Sequence, residues 1–446
     1  MTSSLRRNLL IIIYRNKSHF MFKVLVIAYY FPPMGLSGVQ RTLKFMKYIK
    51  NYNWEPTVIT SSDVGYFAHD KSLMNELTDL NIKVIRIGGN EPNARLTKFG
   101  TIKLPTEFVR RILNRISQTI FILDNKVSWS KKVYNKVDKL IAKEHFDAIF
   151  ITCPPFSAFS YVSRIRKKSD IPIFVDYRDL WYESYFSFYP TPVHKHLNKK
   201  EEYRALKAVD RVLVTNRRIK EKLLKDFPFL SFDDVVIISH GFDPEDFEKI
   251  AAVPKPKNKL VIMYSGIFMA YNTPKYFLKA FKEISNERPD IAAEIELHFV
   301  GYIGKENTRL VRKLNLQEFV KDYGYVNHND SVAKIKSADI LWFMVDRLKN
   351  IDAILPGKIY EYIGAQKPII ACVPDGAAKM AIEEYGAGFI CEPDNISDIK
   401  NTILKVYELY KKNELPKPDE AILQKYRRDY LTELLSKQFQ QKLRPI

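Results

Sequence analysis

Residues 355–371, LPGKIYEYIGAQKPIIA, combine features that could bind a nucleotide. Pro356 suits the first turn of a helix, which leaves the backbone N–H groups of Gly357 and Lys358 able to face an anion. Glu361 lies three residues after Lys358 on the same helix face, where its carboxylate can accept both hydroxyl groups of a ribose. We therefore predict that this segment binds a nucleoside diphosphate, with an ordinary Lys358–Glu361 helix pair as the alternative.

A second segment of this kind is YSGIFMAYNTPKYF, residues 264–277. Gly266 closes a short apolar run, and Asn272 lies in the loop that follows it. Lys275 stands beside a predicted helix start, where both the helix dipole and its ammonium group would attract phosphate. We predict that these three residues complete the site, and a solvated lysine is the alternative at Lys275.

A glycine loop occurs in the first half of the chain, in FPPMGLSGVQR, residues 31–41. Gly35, Ser37 and Gly38 leave backbone N–H groups accessible at a helix start, which favours an anion, or they serve a tight turn that needs small residues. Arg41 could add a further positive charge. The spacing is not G-x-G-x-x-G, and the chain has no Walker A motif, so hydride transfer and ATP hydrolysis are disfavoured.

Charged residues follow other apolar runs. Arg178 and Asp179 come directly after a buried strand candidate, where charge is costly unless it is paired or functional. His240, in SHGFD, is the histidine that we expect nearest a cleft. We predict that these three residues line the cleft, with a structural Arg–Asp pair as the alternative for the first two.

These loops need a scaffold of parallel strands, because ligands in open α/β sheets bind beyond the carboxyl ends of strands. Short apolar runs alternate with helical patterns along the whole chain, which is typical of a parallel sheet covered by helices. A long basic helical stretch is predicted from about residue 106 to 144. The predicted strands are 23–30, 56–60, 82–87, 147–152, 172–177, 211–215, 235–239, 259–265, 294–300, 339–345, 367–373 and 388–392.

A chain of 446 residues is too long for one core and suits two domains. We predict an α/β fold of two tandem doubly wound, Rossmann-like domains that face each other across a cleft. The predicted divisions are a leader or mis-assigned start (1–20), an N-terminal domain (21–250), an exposed Pro/Lys/Asn linker (251–259), a C-terminal nucleotide-binding domain (260–415) and C-terminal helices that could cross back to the N-terminal domain (416–446).

Charge is the unusual bulk property, with 71 Lys and Arg against 51 Asp and Glu, a formal net charge of +20. Residues 98–145 hold eleven bases and four acids. Solvated basic helices or a face attracted to anionic lipid explain this charge, and nucleic acid is disfavoured because the aromatic residues show no RNA-binding signature. The N-terminal run LLIIIY is too short to span a bilayer.

No metal site is expected, since the chain has no D-x-D carboxylate pair and no histidine cluster, and its three cysteines are scattered. The same cysteine pattern excludes a disulfide framework and favours a reducing compartment.

These segments, taken in order, resemble the GT-B glycosyltransferases of the large retaining family four, also called glycosyltransferase group one. The resemblance runs from Lys23 to about Tyr410. It rests on AYYFPPMGLSGVQR, CPPFS, DYRDLW, SHGFDPEDF, YSGIF…NTPKYFLKAF, LHFVG, YGYVNHNDSVAKIKSADILW and PGKIYEYIGAQKPII.

The resemblance implies roles for the predicted residues. Gly357 and Lys358 match the diphosphate-binding loop, Glu361 matches the ribose-binding glutamate, and Lys275 falls where the family places a basic residue on the diphosphate. The glycine loop at residues 35–38 matches the loop that lines the cleft opposite the donor, in the N-terminal domain, which is the acceptor side in members of the family.

Two departures from the family pattern concern the donor. Ala353 stands where many members carry a second glutamate, and only Asp352 is near enough to replace it. Ile267 stands where many members carry an arginine, so the diphosphate would depend more on the lysines and backbone donors, with Arg41 or Lys305 as further bases.

The function implied is a metal-independent, cofactor-free retaining glycosyltransferase. It would move a sugar from a nucleotide-diphosphate sugar to a glycan or lipid-linked acceptor in cell-surface polysaccharide synthesis, in the cytoplasm at the inner face of the membrane. The alternatives are a nucleotide-sugar epimerase of the same fold and a non-catalytic basic adaptor that binds membranes or nucleic acid.

Overall fold

The computed structural model describes residues 21–90, 105–184, 187–268, 272–348 and 350–443, so the predicted leader (1–20) lies outside the described residues. The strands before residue 250 are β1 (Phe22–Ile27), β2 (Trp54–Ser61), β3 (Lys83–Ile87), β4 (Ala148–Cys153), β5 (Ile173–Tyr177), β6 (Arg211–Val214) and β7 (Val235–Ile237). Those after it are β8 (Leu260–Ser265), β9 (Ile295–Val300), β10 (Val320–Asp322), β11 (Ile340–Met344), β12 (Ile369–Cys372) and β13 (Gly388–Cys391).

Helices connect these strands in both halves of the chain. The first half contains α1 (Ser37–Ile49), α2 (Lys71–Asp79), α3 (Glu107–Ile120), α4 (Val127–Ile141), α5 (Phe156–Ser160), α6 (Val162–Arg166), α7 (Pro192–Leu206), α8 (Arg217–Asp226) and α9 (Pro244–Lys249). The second half contains α10 (Lys275–Glu287), α11 (Pro289–Ala292), α12 (Lys305–Lys313), α13 (His328–Ser337), α14 (Lys358–Gly364), α15 (Ala377–Tyr385), α16 (Ile396–Lys412), α17 (Glu420–Lys425) and α18 (Arg428–Gln441).

The strands form two separate parallel sheets, one in each half of the chain. The first has the order β3-β2-β1-β4-β5-β6-β7 and the second β10-β9-β8-β11-β12-β13. In each sheet the strand order reverses beside the first strand, which is the doubly wound pattern. The predicted fold of two Rossmann-like domains is therefore confirmed.

Each predicted strand is present, and the structure adds β10, which has only three residues (VKD) and no apolar run to mark it. The basic stretch predicted as one helix is divided into α3 and α4. Asp124 lies in the turn between them, where it accepts hydrogen bonds from the backbone N–H of Lys126 and from the N–H and hydroxyl of Ser157. These bonds fix a non-helical turn that periodicity alone does not reveal.

The C-terminal helix α18 packs on the N-terminal domain rather than on the C-terminal domain that precedes it in the chain. Phe439 inserts between the rings of Trp54, Phe150 and Phe174, with centroid distances of 5.1, 5.8 and 4.7 Å. The returning chain runs beside Phe242, whose N–H donates to the carbonyl of Tyr426 and whose carbonyl accepts from the N–H of Arg428. The two domains are therefore linked twice along the chain.

Candidate functional site

A large cavity lies between the two domains, at the carboxyl ends of both sheets. Its volume is about 1200 Å³, somewhat above the roughly 300–1000 Å³ of a typical small-molecule site. Twelve of the fourteen site residues that the sequence predicts line this cavity. They are Gly35, Ser37, Gly38, Arg178, Asp179, His240, Gly266, Asn272, Pro356, Gly357, Lys358 and Glu361.

The side chain of Lys358 approaches Gly266 closely on the C-terminal side of the cavity. The Lys358 ammonium donates a hydrogen bond to the hydroxyl of Tyr264 and lies 3.9 Å from the centre of that ring. Gly266 has φ = +137°, and a Cβ atom there would lie 2.7 Å from the Lys358 nitrogen. Glycine thus meets both the backbone conformation and the close approach of the lysine.

Burial gives Lys358 an unusual proton affinity. Removal from water disfavours the ammonium form and lowers the pKa of Lys358 to about 7, against the opposing charge of Glu361. The charged form would be favoured again by a bound anion. A group of this kind, in a cavity that opens at a sheet edge, is typical of a binding or catalytic position.

Glu361 faces the same cavity, and His328 at the start of α13 lies beside it. The His328 Nδ1 atom lies 3.8 Å from Glu361 Oε1 and accepts a hydrogen bond of 3.0 Å from the side-chain amide of Gln40. Its Nε2 atom donates to Asp246 at 2.8 Å. Burial acts to lower the pKa of His328, but the bond to Asp246 and the charges of Asp246 and Glu361 outweigh it, so the pKa is raised.

The position of His328 depends on ionic contacts between the domains. Its backbone N–H donates to Asp70 of the N-terminal domain at 2.8 Å. Asp246, which accepts from the imidazole, also pairs with the buried Lys44 of α1 at 3.0 Å. Lys44 in turn lies 2.7 Å from Asp243. The approach of the two domains therefore orients the imidazole next to Glu361.

On the N-terminal side, Arg178 and His240 are both buried at the cavity wall. Arg178 donates to the carbonyls of Cys153 (3.0 Å) and Pro154 (3.1 Å), so its side chain is fixed by strand ends rather than by Asp179. Burial and the neighbouring arginines lower the pKa of His240, and burial raises the pKa of Asp179.

The His240 side chain carries an unsatisfied polar atom. Its Nδ1 atom is buried and has no hydrogen-bond partner among the described residues. Because buried polar atoms are normally paired, this atom is a candidate contact for a ligand.

Two known protein families match the chain. The family described as Glycosyltransferase Family 4 matches residues 53–246, and the family described as Glycosyl transferases group 1 matches residues 245–419. Together the two matches cover both domains. The chain belongs to the group 1 glycosyltransferases. A comparison with curated proteins found no significant match.

Solved structures support the same fold for this glycosyltransferase. A glycosyltransferase from Rickettsia africae matches with a TM-score of 0.63 and 16% identity over 95% of this chain and 99% of the other. WaaG, a glycosyltransferase involved in lipopolysaccharide biosynthesis, gives 0.56 and 12% over 93% and 99%. A UDP-N-acetylglucosamine 2-epimerase gives 0.52 and 12% over 91% of both chains. At these identities the likeness shows the GT-B fold.

Two of the predicted residues of the glycosyltransferase do not line the cavity. Arg41 is fully buried in α1, where it pairs with Asp176 at 2.7 Å and donates to the carbonyls of Ile238 and Ser239. Lys275 begins α10 but is exposed, with its ammonium 5.1 Å from the centre of the Tyr276 ring. Arg41 is therefore a structural link between α1, β5 and the end of β7.

The structure also shows where the residues concerned in the departures from the family pattern lie. Asp352, which could have replaced the second glutamate, pairs with Lys222 of α8 at 2.7 Å and does not line the cavity. Ala353 and Ile267 do line it. Lys305, the other basic residue considered for the diphosphate, stands at the exposed start of α12 and does not line it.

Sequence reasoning missed several cavity residues of this glycosyltransferase. His328 was within a quoted segment, YVNHND, and its position at a helix start was the available signal. Burial raises the pKa of Asp346, just after β11, to about 7, and this residue also lines the cavity. The basic face of α3 was hidden inside the stretch predicted as one long helix. Among the described residues, no three metal-binding side chains are grouped as a metal site would require.

Proposed function

We propose that the protein is a metal-independent retaining glycosyltransferase that needs no cofactor. Group 1 glycosyltransferases use nucleotide-sugar donors and glycan acceptors. For this chain we propose transfer from a nucleotide-diphosphate sugar to a glycan or lipid-linked acceptor in cell-surface polysaccharide synthesis. The reaction would take place in the cytoplasm, at the inner face of the membrane. Within the described residues, no helix has the length and apolar character needed to cross a bilayer.

The observation that carries the proposal is the meeting of Lys358, Gly266 and Gly357 with Glu361 in one cavity. The Lys358 ammonium and the backbone near the two glycines would bind the diphosphate, and the Glu361 carboxylate would accept the ribose hydroxyls.

The proposed chemistry follows from charge. The bond between the anomeric carbon and the β-phosphate oxygen breaks as the acceptor hydroxyl oxygen bonds to that carbon from the same face. The hydroxyl proton passes to the departing phosphate oxygen, so the products are a glycoside and a nucleoside diphosphate. Lys358 would stabilise the negative charge that develops on the phosphate.

The test of the proposal is a thermal-shift screen over UDP, GDP, ADP and their sugars. A ligand at about 100 times its dissociation constant adds about 2.7 kcal/mol of stability, so the correct nucleotide should raise the melting temperature clearly. Incubation with EDTA should leave transfer unchanged. The proposal is wrong if no nucleotide shifts the melting temperature at millimolar concentration.

The epimerase alternative has one observation in its favour: the cavity holds carboxyl groups with raised pKa values, Asp179 and Asp346, which could exchange protons with a sugar. Incubating the protein with a nucleotide sugar alone distinguishes the two functions, since only an epimerase converts the sugar without an acceptor. The adaptor alternative predicts that Lys358→Ala and Glu361→Ala leave binding to the partner unchanged.

Binding of the nucleoside diphosphate should take up a proton at Lys358. With a pKa of about 7, this lysine is mostly neutral at pH 8, and a bound diphosphate favours the ammonium. Affinity should therefore fall by about ten-fold per pH unit as the pH rises above 7, until the pKa of the complex is reached. Calorimetry at pH 8 in two buffers of different ionisation enthalpy measures the proton.

The matched variant for this experiment is Lys358→Met, which should bind more weakly and without proton uptake. Proton uptake that persists in Lys358→Met would assign the titration to another group.

The contact between Ser37 and Gly357 should limit closure of the cavity. A Cβ atom at Gly357 would lie 2.7 Å from the Cβ atom of Ser37, which is in the other domain. Gly357→Ala should therefore hold the domains apart and lower kcat by roughly 10- to 100-fold, because misplacement of reacting groups is costly.

The double variant Ser37→Gly/Gly357→Ala removes the overlap and should recover most of the lost kcat. Ser37→Gly alone provides the reference for the cycle. If the double variant turns over as slowly as Gly357→Ala, the overlap is not the cause.

A further inference from the structure

Helix α3 carries a row of solvent-exposed apolar side chains on the surface of the protein. Six of its fourteen residues are large hydrophobic residues with 43–73% of their surface exposed. They are Phe108, Val109, Ile112, Leu113, Ile116 and Ile120. A contiguous exposed apolar surface of this kind marks an interaction site on a folded protein.

The opposite face of the same helix lines the cavity. The cavity-lining residues of α3 are Arg110, Arg111, Asn114, Arg115 and Gln118. Because successive residues of an α-helix are 100° apart, these five lie on one side of the axis and the six apolar residues lie on the other. The helix therefore forms part of the cavity wall while its apolar face points away from the protein.

Polar contacts hold α3 in this orientation. The Gln118 side-chain oxygen accepts a hydrogen bond of 2.7 Å from the N–H of Phe188. The carbonyl of Thr119 lies 3.2 Å from Nε2 of His194, and the guanidinium of Arg115 lies 5.5 Å from the centre of the Phe188 ring. The exposed apolar face is thus a fixed feature of the folded domain.

The positive charge around α3 indicates a partner with a negatively charged surface. The helix has three arginines and one glutamate, and the segment 98–145 holds eleven bases against four acids. An amphipathic helix with arginines on its polar face and Phe, Ile and Leu on the other is suited to lie in the interface of an anionic bilayer. Its fourteen residues extend about 21 Å, too short to span a bilayer but suited to lie along its surface.

We propose that α3 lies in the interface of an anionic bilayer, with its apolar face among the lipid chains and its arginine-bearing face turned to the cavity. The cavity then opens at the membrane surface, and the acceptor reaches it as a lipid-linked molecule. This inference rests on the proposed glycosyltransferase function, since it chooses between the two acceptor classes named there.

The test is partition of the full chain onto vesicles of phosphatidylcholine with about 30% phosphatidylglycerol, compared with phosphatidylcholine alone. The variant Phe108→Ser/Ile116→Ser/Ile120→Ser should partition onto the anionic vesicles at least about ten-fold more weakly than the unmodified protein. Phe232→Ser is the matched control, because Phe232 is 72% exposed at another place on the same domain and Phe108 is 73% exposed. This control should stay within about two-fold of the unmodified protein.

A fluorescent reporter provides a second measurement. The three native cysteines are all buried, so Ile116→Cys can be labelled selectively with an environment-sensitive dye. Anionic vesicles should shift its emission to the blue, and a lipid-borne nitroxide should quench it. The same dye at Phe232→Cys should respond to neither.

The inference is overturned if the triple variant partitions like the unmodified protein, or if the dye at residue 116 shows no shift. It is also overturned if the unmodified protein forms a dimer in solution and does not bind vesicles, and if the triple substitution dissociates that dimer. A second copy of the chain would then cover α3. The nucleotide thermal shift, measured without vesicles, tests the proposed function separately. A triple variant that keeps this shift and loses vesicle binding supports the inference.

Discussion

Lys358→Met should lower the turnover of the enzyme by roughly 10²- to 10³-fold, the effect of removing one preorganised donor from a developing negative charge. The ammonium contacts Tyr264 and Gly266 at the cavity wall, so it is held in position before the donor binds. Methionine keeps the apolar length of the side chain and removes only the charge. The measurement is kcat with the nucleotide sugar that gives the largest thermal shift.

The matched control is Lys313→Met, a lysine on the exposed surface of α12, which should change kcat by less than about two-fold. Lys275→Met distinguishes the sequence-based prediction from the placement in the structure, because Lys275 is exposed and does not line the cavity. Equal losses in Lys275→Met and Lys358→Met would show that both lysines act on the diphosphate. An unchanged kcat in Lys358→Met would refute the role given to that residue.

Asp176→Ala should destabilise the protein by about 3–5 kcal/mol, because it leaves the guanidinium of Arg41 buried without its counter-charge. The Asp176 carboxylate accepts bonds from Arg41 and from the hydroxyl of Thr152, and the side chains of Arg41 and Asp176 are 0% and 1% exposed. Chemical denaturation measures the apparent free energy of unfolding.

Glu144→Ala is the matched control, since it removes a carboxylate from the exposed pair with Lys83 and should destabilise the protein far less than Asp176→Ala does. The double variant Arg41→Met/Asp176→Leu should be more stable than Asp176→Ala, because neither partner is then left charged and alone. Losses of the same size in Asp176→Ala and Glu144→Ala would contradict this account of Arg41.

The donor side of the site could be predicted from sequence because its residues are close along the chain. Gly357, Lys358 and Glu361 lie within one helical turn of each other, so helix geometry alone places them together. Their neighbour Gly266 follows directly after a buried strand, and such positions lie at the ligand-binding edge of a parallel sheet.

The remaining site residues depend on contacts between distant parts of the chain. The partners of His328 are Gln40, Asp70 and Asp246, which all come before the linker and lie 288, 258 and 82 positions away along the chain. Arg41 meets Asp176 across 135 positions, and nothing local distinguishes such a buried pair from a ligand contact. Lys275 shows another limit of sequence-based prediction, since a position at a helix start does not fix the direction of a long side chain.

The return of the chain from the second domain to the first limits the relative motion of the two domains. Phe242 is hydrogen-bonded on both sides to the segment at Tyr426–Arg428, so the outgoing and returning connections run next to each other. Two adjacent connecting segments of this kind permit the domains to rotate about the line through both segments, and they resist sliding and twisting of one domain against the other. Every opening of this enzyme should then follow the same rotation, so that each closure returns the arginine-bearing face of α3 to the same position opposite Lys358.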